Sequence, residues 1–197
     1  TGAGAPGGPG IIKALENSQS LEIHSADMDV NAVGGFLSKF FHLIPSADDP
    51  IFIDFILDLC FRNEITCIFP LVTKELFKFS ANKISFEKKG IKIIVSSSEA
   101  LFLSNNKCKI YNHLKANKIA LPDFQVVDNI KDLEEACFNL GYPEKNVVLK
   151  PCVSNGSRGV RILTEKLNLF ESFFSQKPNT LFTSLDQIIT IFNDHYL

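Results

Sequence analysis

Between Leu21 and Val95, short apolar runs bounded by Pro, Asp or Gly alternate with segments of helical apolar spacing. This alternation constrains the fold more than any other feature of the chain. Leu21–His24 reads as a strand ending at the polar run from Ser25 to Asp29, and Lys39–Ile44 as a short strand closed by Pro45. Ile51–Arg62 places Ile51, Phe55 and Leu59, with Ile56 and Cys60, at helical spacing, and Asp48 and Asp49 suit its positive end. Ile65–Phe69 is an apolar strand ending at Pro70. Thr73 is expected to cap a helix to about Phe86, Gly90 to stop it, and Ile91–Val95 to form a further strand. Strand and helix in turn, joined by short loops, predict an open parallel sheet with helices on both faces over residues 1 to about 104.

Composition narrows the class of protein. Across 197 residues, 20 Lys and Arg face 22 Asp and Glu, so no excess of positive charge exists to displace counterions from nucleic acid. The longest apolar runs are broken by charges within a few residues, so no membrane span is expected, and no charged-then-apolar signal peptide is read in the opening residues. Five cysteines (Cys60, Cys67, Cys108, Cys137, Cys152) and four histidines are scattered, without metal-ligand spacing. Reduced thiols in a cytoplasmic protein are the expectation.

The first ten residues hold five of the eleven glycines and run into Ile11-Ile12-Lys13-Ala14-Leu15. A glycine-rich turn entering a helix normally follows a buried strand, so a strand is expected ahead of Thr1; a terminal tail is the plainer alternative. Gly2-x-Gly4-x-x-Gly7 has the spacing of a dinucleotide fingerprint, and Asp27 lies 20 residues beyond Gly7, where a ribose-binding acid would sit. Pro6 and Pro9 cannot donate amides, which favours a structural turn over an NAD site.

A second block begins near Asn105. Helices are expected over Lys107–Asn117, over Asn129–Leu140 with Asn129 as cap and Gly141 as stop, and over Ser184–Asn193. Strands are expected at Phe124–Val127, Val147–Leu149 and Val160–Leu163, the last two antiparallel across the loop Ser154–Arg158. Lys107 opens a helix and by itself reads as a solvated charge. Lys150 ends three consecutive β-formers and precedes Pro151; it either snorkels or contacts a phosphate. The segment Ser154-Asn155-Gly156-Ser157-Arg158-Gly159 is either a hairpin turn or a glycine-rich flap over phosphates. As a flap, its small polar residues predict a loop poorly ordered without nucleotide.

In order and spacing, Lys107, Pro122 fifteen residues on, Val147-Val148-Leu149-Lys150-Pro151 and Gly156-Ser157-Arg158-Gly159-Val160 resemble the opening of an ATP-grasp domain. Ile68-Phe69-Pro70 with Glu75-Leu76, Phe86 to Ile91, and Ser96 to Ala100 resemble the carbamoyl-phosphate-synthase-like branch. The resemblance implies an α/β chain: a Rossmann-like pre-ATP-grasp domain at 1–104, then the N-terminal, α+β part of an ATP-grasp domain at 105–197. It further implies that Lys107, Lys150, Gly156, Ser157, Arg158 and Gly159 bind ATP phosphates. Magnesium is expected with ATP, its ligands lying beyond Leu197, since Asp186 and Asp194 sit on a surface helix. The implied activity is carboxylate–amine ligation, in which a carboxylate or bicarbonate is activated as an acyl phosphate. The partners are then small-molecule acid and amine, with homo-oligomerisation left open. A noncatalytic nucleotide-binding or regulatory remnant of the fold, and an NAD-binding Rossmann protein, stand as alternatives.

Overall fold

The computed structural model describes residues 1–18, 20–154, 156–166 and 181–195. The chain divides into two compact units, Thr1–Phe102 and Leu103–Leu197. Among the described residues no helix is long and apolar enough to cross a membrane.

The first unit runs α1 (Gly8–Glu16), β1 (His24–Asp27), a 3-10 turn (Val33–Phe36), β2 (Phe40–Leu43), α2 (Phe52–Arg62), β3 (Cys67–Ile68), α3 (Thr73–Glu87) and β4 (Lys92–Ile93). The helix α4 (Ser98–Ser104) spans the division between the units. Both strand pairs are parallel, as the alternation predicts: β1 with β2 from His24↔Phe40 to Asp27↔Leu43, and β3 with β4 at Cys67↔Lys92 and Ile68↔Ile93. Phe52, Ile56 and Cys60 come from successive turns of α2, and Phe79 and Phe86 from α3. They bury a common core with Ile68 and Ile93. The rings of Phe52, Phe79 and Phe86 meet edge to face at 5.5 and 5.8 Å, an arrangement aromatic quadrupoles favour.

Two expectations shift here. The first strand lies at His24–Asp27 rather than Leu21–His24, because Ser25 and Ala26 are the buried pair and Ser25 Oγ donates to the carbonyls of Gly34 and Phe40. A buried hydroxyl with backbone partners is compatible with a strand interior, although Ser reads as a loop residue. Thr73 is the first helical residue and makes no cap; Val72 holds the cap position without a side-chain bond.

The second unit contains α5 (Lys107–Ala116), α6 (Ile130–Asn139), β5 (Val147–Leu149), β6 (Arg161–Leu163), β7 (Phe182–Thr183) and α7 (Leu185–His195). Side-chain caps set both helix starts: Asn106 Oδ1 accepts from Lys109 N and Asn129 Oδ1 from Asp132 N. β5 and β6 are antiparallel, Val147↔Leu163 to Leu149↔Arg161, and β7 adds in parallel to β6. Leu133 and Cys137 of α6, Tyr142, Val147, Leu163, Leu185 and Ile188 form the core. Residues 124–127 join no ladder and are not a strand. Phe124 instead packs its ring edge-on against Tyr111 at 5.1 Å, and the Lys115 ammonium lies 5.7 Å from its centroid. The cysteine expectation is also corrected: Cys108 and Cys152 form a disulfide, their Cα atoms 5.1 Å apart, while Cys60, Cys67 and Cys137 are free.

Candidate functional site

Lys150 follows β5 directly, and that strand is anchored by Val147 and Leu149 in the core of the second unit. Its ammonium donates to Tyr111 Oη at 3.0 Å and sits 5.2 Å from the centre of the same ring. A cation–π contact thus accompanies the hydrogen bond. Lys107 is the first residue of α5. Its backbone N–H donates to Cys152 O at 2.7 Å, and its ammonium donates to the carbonyl and the hydroxyl of Ser154, each at 3.2 Å. Lys107 and Tyr111 stand four residues apart on one helix face, where Cβ atoms are about 5–6 Å apart. Lys150 is thus tied to α5 through Tyr111, and Lys107, itself on α5, is tied to the segment after β5 through Ser154.

The predicted flap residues Gly156, Ser157, Arg158 and Gly159 form an exposed turn closed by Val160 N donating to Ser157 O at 3.2 Å. Asn155 lies outside the described residues. Gly159 has φ +75°, and a Cβ there would stand 2.6 Å from Pro151 Cγ, so only glycine brings this turn back against the segment that follows Lys150. Ser157 also holds a left-handed φ of 59°, uncommon for a residue with a side chain. Tyr111 is not among the sequence-predicted site residues, and Ser154 is there only as the start of the loop. Tyr111 had one available signal, its i+4 position relative to Lys107; Ser154 had none beyond lying in the loop.

The first glycine loop is built differently. Asp27 Oδ2 accepts from Gly4 N at 2.7 Å and Asp27 Oδ1 from Asp29 N at 3.0 Å, so the carboxylate expected for a ribose orders its own loop. Gly8 opens α1 so close to the preceding turn that a Cβ would lie 2.5 Å from Ala3 O. Thr1 Oγ1 donates to Glu75 Oε2 at 2.6 Å, and burial pushes the Glu75 carboxyl above its ordinary value. A cleft of about 320 Å³ in this unit is lined in part by Ile12, His24, His42, Cys60 and Cys67. On its wall, His24 Nδ1 and His42 Nε2 share a hydrogen bond of 2.8 Å, and His24 Nε2 donates to Glu22 Oε1 at 3.0 Å.

Asp186 and Asp194 are exposed on α7. Among the described residues no group of three or more His, Cys, Asp or Glu side chains is clustered to hold a metal ion.

Residues 10–94 match the family described as PylC-like, N-terminal domain. The carbamoyl phosphate synthase large chain of Pseudothermotoga lettingae is 28% identical over 85 residues, 43% of this chain and 7% of that protein. Among solved structures, the ADP complex of N5-carboxyaminoimidazole ribonucleotide synthetase superposes with a TM-score of 0.57 at 15% identity, over 83% of this chain and 40% of the other. The biotin carboxylase domain dimer of the Hydrogenobacter thermophilus 2-oxoglutarate carboxylase, in complex with MgADP, ADP and bicarbonate, gives 0.54 at 17% identity over 94% and 37%. The chain spans less than half the length of each of these relatives. At these identities the structural likeness establishes the fold, a mixed α/β arrangement shared with the N-terminal regions of such enzymes.

Proposed function

Starting from a chain whose residues 10–94 are a PylC-like N-terminal domain and whose fold is that of ATP-grasp N-terminal regions, we propose that Lys107, Lys150 and the Gly156–Gly159 turn grip the phosphates of ATP. The protein to which they belong is, in this reading, a carboxylate–amine ligase. The observation that carries it is the pair of ties between α5 and the segment after β5, the Lys150 ammonium to Tyr111 and the Lys107 ammonium to Ser154, next in the chain to a turn that only glycine can bring against Pro151. ATP, when bound, supplies the phosphoryl group that activates a carboxylate or bicarbonate for attack by an amine.

The residues present suit that group. Each lysine is positioned from a rigid base, Lys107 by a capped helix and Lys150 by a core strand, so little ordering is left to the moment of binding. Both ammonium groups are satisfied by neutral oxygens, Ser154 and Tyr111, which a polyphosphate outcompetes as a charged acceptor. Two such cations neutralise charge that shifts as a phosphoryl group leaves. The Gly156–Gly159 backbone, exposed and held in left-handed turns, presents amides and keeps water from the phosphates when it folds over them. Magnesium accompanies the nucleotide, with ligands from outside the described residues. The two substrates are a small carboxylic acid and an amine.

The test is Mg-ATP affinity of the full natural chain, wild type against Lys150→Met and Lys107→Met. Each substitution keeps most of the stem and deletes the charge. Binding is expected to weaken by roughly 1.5–3 kcal/mol, about ten- to a hundredfold, with the melting temperature little changed. Tight wild-type binding that Lys150→Met leaves intact rejects the assignment. Loss of folding in Lys150→Met points instead to a packing role for its stem.

A further inference from the structure

We propose that the Cys108–Cys152 disulfide is a reversible thiol switch on the phosphate site: oxidised, it holds the 152–154 segment against the start of α5 so that Ser154 occupies the Lys107 ammonium, and reduced, it frees that ammonium for phosphate. The inference rests on the phosphate-binding role given to Lys107 above.

The bridge joins the two places where the site is made. Cys108 is the neighbour of Lys107, and Cys152 lies two residues after Lys150, the two cysteines standing 44 positions apart in sequence. Three ties converge there: the disulfide, Lys107 N to Cys152 O at 2.7 Å, and the Lys107 ammonium to both oxygens of Ser154 at 3.2 Å. An ammonium has three N–H donors, and two are engaged by Ser154. A phosphate reaching Lys107 must displace Ser154, and the disulfide two residues away limits how far Ser154 retreats. Cutting the bridge leaves hydrogen bonds alone among these ties, the Lys107 N–H to Cys152 O and the ammonium to Ser154, and a phosphate displaces the second of them.

The chemistry selects this pair among the five cysteines. Cys60 and Cys137 are buried, and burial raises both thiols, that of Cys60 to about 11, which suppresses the reactive thiolate. Cys67 is exposed and has no disulfide partner. Cys108 and Cys152 are both partly exposed, and the folded chain holds their Cα atoms 5.1 Å apart, within bridging distance. Oxidation proceeds by thiolate exchange with a low-molecular-weight disulfide such as glutathione disulfide. Cys108 S⁻ attacks one sulfur and expels a thiolate; Cys152 S⁻ then attacks Cys108 Sγ and expels the second. Two protein thiols lose two electrons and two protons, and one glutathione disulfide becomes two glutathiones; excess glutathione reverses both steps.

The experiment equilibrates the full natural chain in glutathione buffers, oxidised or reduced. It then reads Mg-ATP affinity and, without nucleotide, amide hydrogen exchange over residues 152–159. The reduced protein is expected to bind at least about tenfold more tightly and to exchange faster over 152–159. Cys108→Ser, with Cys152→Ser as the second variant should the first fold poorly, is expected to bind like the reduced protein in either buffer. Lys107→Met is expected to lose the redox dependence. Equal affinity in both buffers, or a redox effect that survives in Lys107→Met, overturns the switch while leaving phosphate binding standing. No binding in either buffer overturns the proposed function and the nucleotide half of the switch together. Identical exchange over 152–159 rejects the conformational half separately.

Discussion

Two glycine-rich turns in this protein invite the same functional reading and are built for opposite ends. In the first, Gly4 donates its amide to Asp27, Ala3 donates to Ala26, and Gly8 approaches the Ala3 carbonyl where a methyl group would collide. Its donors are absorbed by the fold, and its acid is engaged at both oxygens. In the second, Gly156–Gly159 stands exposed, and the ammonium groups of Lys107 and Lys150 hold neutral oxygens of Ser154 and Tyr111. Spacing alone favours the first turn as a nucleotide site. The engaged amides and acid of the first turn, and the neutral partners of Lys107 and Lys150, favour the second. A glycine pattern reports where backbone comes close to something; the hydrogen-bond partners decide whether that something is a ligand or the protein itself.

The largest effect expected to separate the two turns is reduction of the disulfide. A cross-link spanning 44 residues restricts the unfolded chain by about 3–4 kcal/mol in the loop-entropy picture. Reduction is expected to lower the stability of the second unit by that order and to leave the first unit, whose described cysteines are free thiols, unchanged. Hydrogen exchange resolved by segment, with β5–β6 and β1–β2 as reporters, checks it. Equal losses in both units would contradict the assignment.

Asp27→Ala comes next. It strips acceptors from Gly4 and Asp29 in an exposed loop where water can partly replace them, so about 1–2 kcal/mol of stability is expected to go. Mg-ATP affinity is expected to stay put, because the first turn holds no nucleotide in the proposed function. Nucleotide binding that collapses in Asp27→Ala while the fold survives would reverse the roles of the two turns. Gly159→Ala is the matching change in the second turn. Its methyl group meets Pro151 at 2.6 Å in a left-handed conformation, so a cost of about 1–2 kcal/mol is expected, with ATP binding weakened several-fold. Calorimetric titration of the variant decides it.

Much of this architecture is legible residue by residue. Asn129 marks a helix start because its side chain replaces a missing backbone acceptor, and of the apolar positions read in Ile51–Arg62, Ile56 and Cys60 are buried while Phe52 takes the inward place of the exposed Ile51. Val147–Leu149 and Arg161–Leu163 pair antiparallel as expected, both being short, largely apolar runs that follow one another in the chain across a polar connection. What stayed hidden depends on contacts distant in sequence. Phe124–Val127 has the composition of a strand, yet a strand exists only where a partner does, and Phe124 meets Tyr111 instead. The Cys108–Cys152 pair and the Lys150–Tyr111 contact span 44 and 39 positions, and only the folded chain juxtaposes them. Ser25 was read as loop because its two backbone acceptors, from Gly34 and Phe40, are supplied by the fold.

The smallest expected effect uses pH to tell the units apart. Burial, then the neighbouring His24 and Arg62, hold His42 below its ordinary value of 6.5. The folded state therefore takes up this proton less readily than the unfolded chain. Just below pH 6.5 the unfolded state binds more protons, so stability falls as pH falls through that window and is fully restored above it. The strands that carry the pair are β1 and β2, in register at Ala26↔His42, so their amides are expected to lose protection modestly between pH 7 and pH 5 after correction for intrinsic exchange. Those of β5 and β6 are expected to serve as a nearly flat control. Replacing His42 by Gln keeps an N–H donor for His24 Nδ1 and removes the titration, so the β1–β2 slope should flatten toward the control. A slope that persists undiminished in His42→Gln would move the pH sensitivity to another group of the first unit.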